Sequence, residues 1–182
     1  MIRNLREYQL LPSFASKRLA LKPRTLADLD GCIAMDRDPE VTRHVEGPWH
    51  ERDAHRRFVV DCITRVYPDG LGYWSIVEHS APARFVGWVL LIPVDTHGLE
   101  VEIGWRLVRE AWGRGIASEA ARIVVAHAFD TVGLESVVAG IAEGHVASQR
   151  VAQKLGMKRE GNVDGYVRLR LARADLSSRR SS

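Results

Sequence analysis

The chain has 182 residues, a length that fits one folded domain rather than two. Its 26 lysines and arginines exceed its 23 aspartates and glutamates by only three charges, too few to indicate a nucleic-acid partner. Two cysteines, Cys32 and Cys62, exclude a disulfide scaffold, and the absence of CxxC and HxxxH spacings gives no support for a metal site. Apolar runs such as Ile123–Ala128 are far shorter than the ~20 residues of a membrane span. We therefore expect a cytoplasmic protein with no metal and no membrane partner.

The first third of the chain predicts one strand followed by helices. Residues 1–16 precede the first strand signal, Arg18–Lys22, where apolar and basic residues alternate as in a half-buried strand. Thr25 is a candidate helix cap for a helix that ends near Met35. A short turn or helix starts at Asp38-Pro39-Glu40. The segment Glu51–Val66 then has the spacing of an amphipathic helix, with an apolar face predicted to contain Ala54, Phe58, Val59, Cys62, Ile63 and Val66.

The middle of the chain is rich in strand signals. Tyr73–Glu78, Phe85–Val94 and Glu100–Val108 are strand candidates, joined by the short segments Ser80–Arg84 and Asp95–Leu99 that suit hairpins. The later elements are predicted as a helix from Ile116 to Gly133, a strand Ser136–Ala142, a helix Ala147–Leu155, a strand pair Lys158–Asn162 and Tyr166–Leu171, and a disordered tail at residues 177–182. This order predicts an α/β (α+β) fold: a mixed, mostly antiparallel sheet with helices on both faces, in one domain over residues 17–176.

The segment from Val101 to Ala121 carries the clearest chemical signal. A strand ends near Val108, a turn with Gly113 and Gly115 follows, and a helix begins directly afterwards. Backbone N–H groups that converge at such a turn, together with the positive end of the helix dipole, form a cradle suited to phosphate. The alternative is a tight strand-to-helix turn without a ligand. The spacing matches neither a Walker loop nor a GxGxxG motif.

This segment resembles the glycine-rich motif of the GNAT superfamily, the acetyl-CoA-dependent N-acetyltransferases. The family form Q/R-x-x-G-x-G/A reads here from Trp112 to Ala117, with Trp112 in place of the usual Gln or Arg. The longer form W-G-R-G-I-A-S-E-A is similar to that of the branch containing RimJ and RimL, which acetylate N-terminal amines of ribosomal proteins. Further blocks match in order: Arg18–Leu21, Asp38–Val41, Tyr73–Ile76, Val86–Val89 and Ala147–Met157.

The resemblance implies a fold and a cofactor site. The fold is a sheet of about seven strands that is splayed at its centre. The end of the strand at Leu107 and Val108 would pair with the pantetheine arm of acetyl-CoA, although both residues also suit an ordinary core. His145 stands where the family usually has Asn, and the short loop Gly161–Gly165 is often longer in relatives. The backbone amides expected to bind the diphosphate are those of Trp112, Gly113, Arg114, Gly115, Ile116, Ala117 and Ser118.

Acetyl transfer to an amine requires a base, a group that stabilises the oxyanion and an acid for the leaving thiolate. Glu102 is the candidate base, with an exposed alternating strand position as the alternative, and the backbone N–H of Val108 is a candidate for the oxyanion. Ser148 is the candidate acid, with a helix N-cap or a contact to CoA as alternatives. His145 could transfer a proton or contact CoA, or it could be an inert loop residue.

The sequence therefore predicts an N-acetyltransferase that moves the acetyl group of acetyl-CoA to a primary amine by direct attack in a ternary complex. The acceptor is a protein N-terminus or a small-molecule amine. The alternative is a non-catalytic acyl-CoA-binding module of the same fold. Residues 1–16 could pair with a neighbouring chain, which leaves a homodimer open.

Overall fold

The computed structural model describes residues 11–94 and 100–179, with side chains up to residue 176. The strands are β1 (Phe14–Ala15), β2 (Leu19–Pro23), β3 (Gly72–Glu78), β4 (Ala81–Pro93), β5 (Val101–Leu107), β6 (Ser136–Ala142), β7 (Lys158–Val163) and β8 (Tyr166–Ala172). The helices are α1 (Leu29–Asp36), α2 (Pro39–Thr42), α3 (Arg52–Thr64), α4 (Ile116–Asp130), α5 (Val146–Leu155) and α6 (Arg173–Arg179). Two short 3-10 turns lie at Leu26–Asp28 and Arg109–Ala111.

The eight strands form one sheet in the order β1-β2-β3-β4-β5-β6-β8-β7. Every neighbouring pair is antiparallel except β5 and β6, which are parallel and pair at a single position, Glu102 opposite Val138. Beyond that position the two strands diverge. The sheet is therefore splayed at its centre, and the backbone of β5 faces a gap there.

The two faces of the sheet carry different layers. Alternate residues such as Val89, Leu91 and Ile103 pack with α4 and α5 in the main hydrophobic core. The opposite face, which includes Trp88, packs under α1 and α3 in a smaller cluster around Cys32 and Val59. Successive side chains along β5 therefore point alternately into the closed apolar core and toward the more open face that packs under α1.

Local sequence explains where the helices begin. Thr25 closes a capping box with Asp28, and the carboxylate of Asp38 accepts from the backbone N–H of Glu40 ahead of α2. Gly156 ends α5 in the left-handed conformation that favours glycine. Helix α3 differs in part from the prediction: it ends at Thr64, and Phe58, expected on its apolar face, is 43% exposed. Phe58 instead packs edge-on against the ring of Trp49.

The predicted mixed sheet and its helices on both faces are confirmed, with eight strands instead of about seven. The extra strand is β1, which lies within the segment expected to be an extension before the fold. The tail prediction also differs, because α6 continues to Arg179. The predicted hairpin Asp95–Leu99 lies outside the described residues. No helix in the described ranges is long and apolar enough to span a membrane.

Candidate functional site

The gap between β5 and β6 opens into a cavity of about 570 Å³. It extends from the start of α4 to the loop after α2. Its walls come from the end of α2, β4, β5, the turn before α4, β6, α5 and the start of β8. They include Glu102, Gly104, Arg106, Leu107, Gly113, Gly115, Ala117, Gly140, His145 and Ser148. The volume is in the range of sites that bind small molecules and cofactors.

The edge of β5 presents backbone hydrogen-bonding groups to this cavity. Val108 donates its N–H to the carbonyl of Val86 at 3.1 Å, so it belongs to the hydrogen-bonded pairs between β4 and β5. In an antiparallel ladder such pairs alternate, so the N–H and C=O groups of Trp105 and Leu107 point away from β4 and toward the gap. The N–H of Val108, expected as an oxyanion donor, is therefore already used within the sheet, whereas the N–H of Leu107 faces the gap.

The turn before α4 has the backbone geometry of an anion cradle. Gly113 and Gly115 have φ angles of 71° and 74°, and a Cβ atom at Gly113 would meet no protein atom within 4 Å. The Glu119 N–H donates to the carbonyl of Gly115, as the first backbone bond of the helix. Ahead of it, the first N–H groups of α4 have no partner one turn back within the helix, and the N-cap residue Gly115 has no side chain to cap them. A diphosphate fits this open, amide-lined turn.

Cationic side chains beside the turn are already paired with carboxylates. Arg114 donates to both oxygens of Glu78 at 2.8 and 2.6 Å, and Arg109 donates to both oxygens of Asp38 at 2.9 and 2.5 Å. Arg114, an expected cofactor residue, does not line the cavity. The attraction for an anion thus comes from backbone amides and the helix dipole, not from these two guanidinium groups.

Two further contacts hold the turn in place. Arg18 donates to the carbonyl of Arg114 at 2.8 Å and to the carboxylate of Glu119 at 2.7 Å. The indole N–H of Trp112 donates to the carbonyl of Leu107 at 3.0 Å. Both contacts hold the turn against the sheet, so the backbone N–H groups of the turn keep a fixed direction.

Glu102 lies at the point where β5 and β6 separate, and its side chain lines the cavity. Burial raises the pKa of this carboxyl group, and the N–H of Gly140, which donates to it, offsets part of the rise. Glu100, two residues earlier, instead forms ion pairs with Arg168 and Arg170. Glu102 is therefore not the exposed strand residue of the alternative interpretation. A half-buried carboxylate with a raised pKa suits a general base.

Ser148 lies in the first turn of α5 and also lines the cavity. Its Oγ accepts the indole N–H of Trp105 at 3.0 Å, across the space between β5 and α5. The N-cap of α5 is His145, so the interpretation of Ser148 as an N-cap is wrong. Trp105 occupies one lone pair of Oγ, which leaves the hydroxyl proton of Ser148 able to point into the cavity.

His145 stacks on His44, with ring centroids 4.6 Å apart and an interplanar angle of 20°. Both rings line the cavity. Burial lowers the pKa of His145, and the nearby His44 and Arg106 lower it further. The lowered pKa favours the neutral imidazole of His145, in which one ring nitrogen donates a hydrogen bond and the other accepts one. His44 comes from the loop after α2, about a hundred residues away in the chain, and sequence reasoning missed it.

Most of the expected site residues meet at this cavity. The ten that line it are Glu102, Leu107, Trp112, Gly113, Gly115, Ile116, Ala117, Ser118, His145 and Ser148, whereas Val108 and Arg114 do not. Other lining residues were missed by sequence reasoning: His44, Arg106, Arg150, Lys154 and Tyr166. Arg106 could have been identified from the sequence, because alternation along β5 places it on the same strand face as Glu102 and Gly104. Within the described ranges, no group of three or more His, Cys, Asp or Glu residues could hold a metal ion.

Comparison with known proteins agrees with this geometry. The family model of the acetyltransferase (GNAT) domain matches residues 18–158. The FsC-acetyl coenzyme A-N(2)-transacetylase of Aspergillus fumigatus is 31% identical over 157 residues. That match spans 80% of this chain but 65% of the relative, so the chain covers slightly less than two thirds of the relative's length.

Solved structures share the fold. An acetyltransferase from Agrobacterium tumefaciens superposes with a TM-score of 0.76 at 23% identity, covering 89% of this chain and 95% of that one. Spermidine N-acetyltransferase from Vibrio cholerae, solved in complex with CoA and spermine, gives a TM-score of 0.71 at 15% identity and covers 88% and 98%. The splayed sheet, the turn at the start of α4 and the matched family domain lead to one conclusion: the chain belongs to the GNAT acetyltransferase family.

Proposed function

We propose that the protein transfers the acetyl group of acetyl-CoA to a primary amine, by direct attack within a ternary complex. One observation carries the proposal: a single cavity joins the amide-lined turn at residues 113–118 to the half-buried carboxylate of Glu102. Acetyl-CoA is supported as donor by the fit of a diphosphate to the turn. The names of the Aspergillus relative and of the Vibrio complex, which mention acetyl coenzyme A and CoA, point the same way.

Different residues of the cavity carry out the separate steps of the reaction. Glu102 accepts the proton of the ammonium group, directly or through a water, so that the nitrogen lone pair can attack the thioester carbon. The backbone N–H of Leu107 donates to the oxygen that becomes negatively charged. As the C–S bond breaks, Ser148 gives its hydroxyl proton to the thiolate. The nitrogen, which after the attack carries one proton more than the product amide, releases that proton to solvent, and Ser148 regains a proton from solvent. Trp105 acts as a positioning residue, because its indole N–H holds the Ser148 oxygen.

The finer parts of the proposal rest on the sequence. The form W-G-R-G-I-A-S-E-A supports a place in the RimJ/RimL-like branch, with a protein N-terminus or a small-molecule amine as acceptor. The catalytic domain includes residues 17–176, together with β1, which pairs with β2. A cytoplasmic location is included because both cysteines are free thiols.

The test is thiol release from acetyl-CoA in the presence of a panel of small amines and N-terminal peptides, with initial rates measured while both substrates vary. Direct attack in a ternary complex predicts intersecting lines in the double-reciprocal plot, whereas parallel lines would indicate an acetylated enzyme. CoA binding measured by calorimetry, without thiol release above background for any amine, would support the non-catalytic binding module and overturn the enzyme.

A further inference from the structure

Arg106 is a guanidinium group fixed in place at the α1 side of the cavity. Its side chain is 12% exposed, and Nη1 donates to Asp36 at 2.7 Å. Asp36 is itself buried and also contacts the ring of buried His55 at 3.2 Å. The guanidinium carbon lies 4.9 Å from the ring centre of Trp49 and 5.2 Å from that of Trp88. An ion pair and two aromatic rings therefore hold the group rigidly.

Most of the hydrogen-bonding capacity of Arg106 is unused by the protein. A guanidinium group has five N–H donors, and Asp36 is the acceptor in the one hydrogen bond that the side chain makes in the described part of the chain. None of its nitrogens is among the buried atoms that lack a partner, so the remaining donors have access to open space. Because Arg106 lines the cavity, these donors can reach a bound molecule. A planar group with free parallel N–H bonds is suited to a carboxylate.

Arg106 and Glu102 lie on the same face of β5, four residues apart. Their Cα atoms are therefore about 13 Å apart at ~3.3 Å per residue. Gly104 lies between them, and the side chain of Leu90, its partner on β4, covers it, so an apolar surface separates the two charged residues. An acceptor lying along β5 thus meets a carboxylate at one end and a guanidinium group at the other. An acceptor whose amine and anion are several bonds apart suits two oppositely charged residues placed four positions apart on one strand face.

The charges that line the cavity also favour an acceptor with a negatively charged group. Among the described residues that line it, Glu102 is the single acid, and the cations Arg106, Arg150 and Lys154 outnumber it. A polyamine carries several positive charges, each of which gains from a carboxylate partner. Among the described residues that line this cavity, Glu102 is the one carboxylate that could pair with such a charge, and Glu102 is needed as the base.

We propose that the acceptor carries a carboxylate several bonds from its reactive amine and that Arg106 binds this carboxylate. The inference rests on the proposed function and names the chemical class of its acceptor. The carboxylate could belong to a small amino acid derivative or to an acidic residue near a peptide N-terminus. The chemistry of recognition is the same for both.

The test compares three acceptors of equal length and different terminal charge: ε-aminocaproate, its primary amide and hexamethylenediamine. We expect kcat/KM for the carboxylate to exceed that for the amide by at least about ten-fold, equivalent to about 1.4 kcal/mol, since a hydrogen bond to a charged group is stronger than one to a neutral group. The diamine should be the poorest of the three. A peptide pair that differs by Asp against Asn at the second position shows whether the carboxylate can come from a peptide.

The variants are chosen so that loss of folding does not obscure the result. Arg106→Gln alone leaves Asp36 buried without its cation, so the informative variant is the double substitution Asp36→Asn with Arg106→Gln. We expect it to remove the preference for the carboxylate while thiol release with the amide acceptor is retained. Asp36→Asn alone keeps the guanidinium group and should keep the preference.

A binding measurement separates this inference from the proposed function. If no amine supports turnover, calorimetric titration of the CoA-loaded protein with ε-acetamidocaproate and its amide still reports whether the carboxylate is bound. Turnover with equal kcat/KM for all three acceptors would overturn the inference and leave the proposed function standing. Equal binding of the acid and the amide, or a preference that survives the double substitution, would overturn it as well.

Discussion

The two ends of the cavity are built in different ways. The end at residues 113–118 comes from one continuous segment and offers backbone amides, whereas the other end offers side chains from the loop after α2, from β5 and from the start of α5. A backbone cradle depends on conformation, which two glycines with positive φ provide locally. The opposite end depends on residues such as His44 and His145 being brought together by the fold. The first end suits a common donor, and the second can vary with the acceptor.

Replacing Gly113 by leucine should give the largest effect. The added side chain occupies the space beside the free amides, and we expect CoA affinity to fall by about a hundred-fold or more, equivalent to two charge-assisted hydrogen bonds. Calorimetric titration with CoA measures the change. Gly133→Leu is the matched control, because Gly133 also has a positive φ, 79°, and nothing within 4 Å, but lies away from the cavity. Equal loss of affinity in both variants would show that backbone strain, not the cradle, is responsible.

Glu102→Gln should have the next largest effect, on rate and not on CoA affinity. Loss of the base should lower kcat by about a hundred-fold or more. In the parent protein the rate rises with pH through the raised pKa of Glu102, as the carboxyl loses its proton, and this limb should vanish in the variant. Glu100→Gln, on the same face but in an ion cluster, should keep both rate and profile. An unchanged pH profile in Glu102→Gln would remove Glu102 as the base.

The same carboxyl group should affect stability with a predictable sign. Its pKa is higher in the folded than in the unfolded chain, so its protonated form favours folding below the unfolded pKa, and this contribution is lost as pH rises through the folded pKa. Glu102→Gln should therefore raise Tm at neutral pH and have little effect in acid. Thermal unfolding monitored by circular dichroism at both pH values measures this difference. A lower Tm for the variant at neutral pH would contradict the origin of the shift.

Arg114→Gln should have the smallest effect and separates backbone from side-chain binding. The Arg114 side chain is 47% exposed and pairs with Glu78, so CoA affinity should change by less than about two-fold, as expected for an exposed ion pair. Lys154→Gln, which alters a cation that lines the cavity, should weaken CoA binding more, and its effect should diminish with added salt. A ten-fold loss in Arg114→Gln would mean that its guanidinium group contacts the phosphates after all.

The sequence predicted the parts of the protein that depend on neighbours in the chain. Apolar periodicity placed α3, α4 and most strands, and the spacing of Gly113 and Gly115 predicted the turn. The pairing of Arg114 with Glu78 could not be predicted, because the two residues are 36 positions apart. The donor direction of Val108 depended on the register between β4 and β5, which is a property of strand pairing. For the same reason, the Arg106–Asp36–His55 cluster emerged only from the packing of α1 and α3 on the sheet.

The crystal structure of the protein with CoA bound tests the central claim most directly. The account predicts diphosphate oxygens within hydrogen-bonding distance of the backbone N–H groups of residues 113–118, with the pantetheine arm along β5 and the sulfur beside the hydroxyl of Ser148. A complex in which CoA lies outside the gap between β5 and β6, with its phosphates held by side chains and these amides facing solvent, would contradict it.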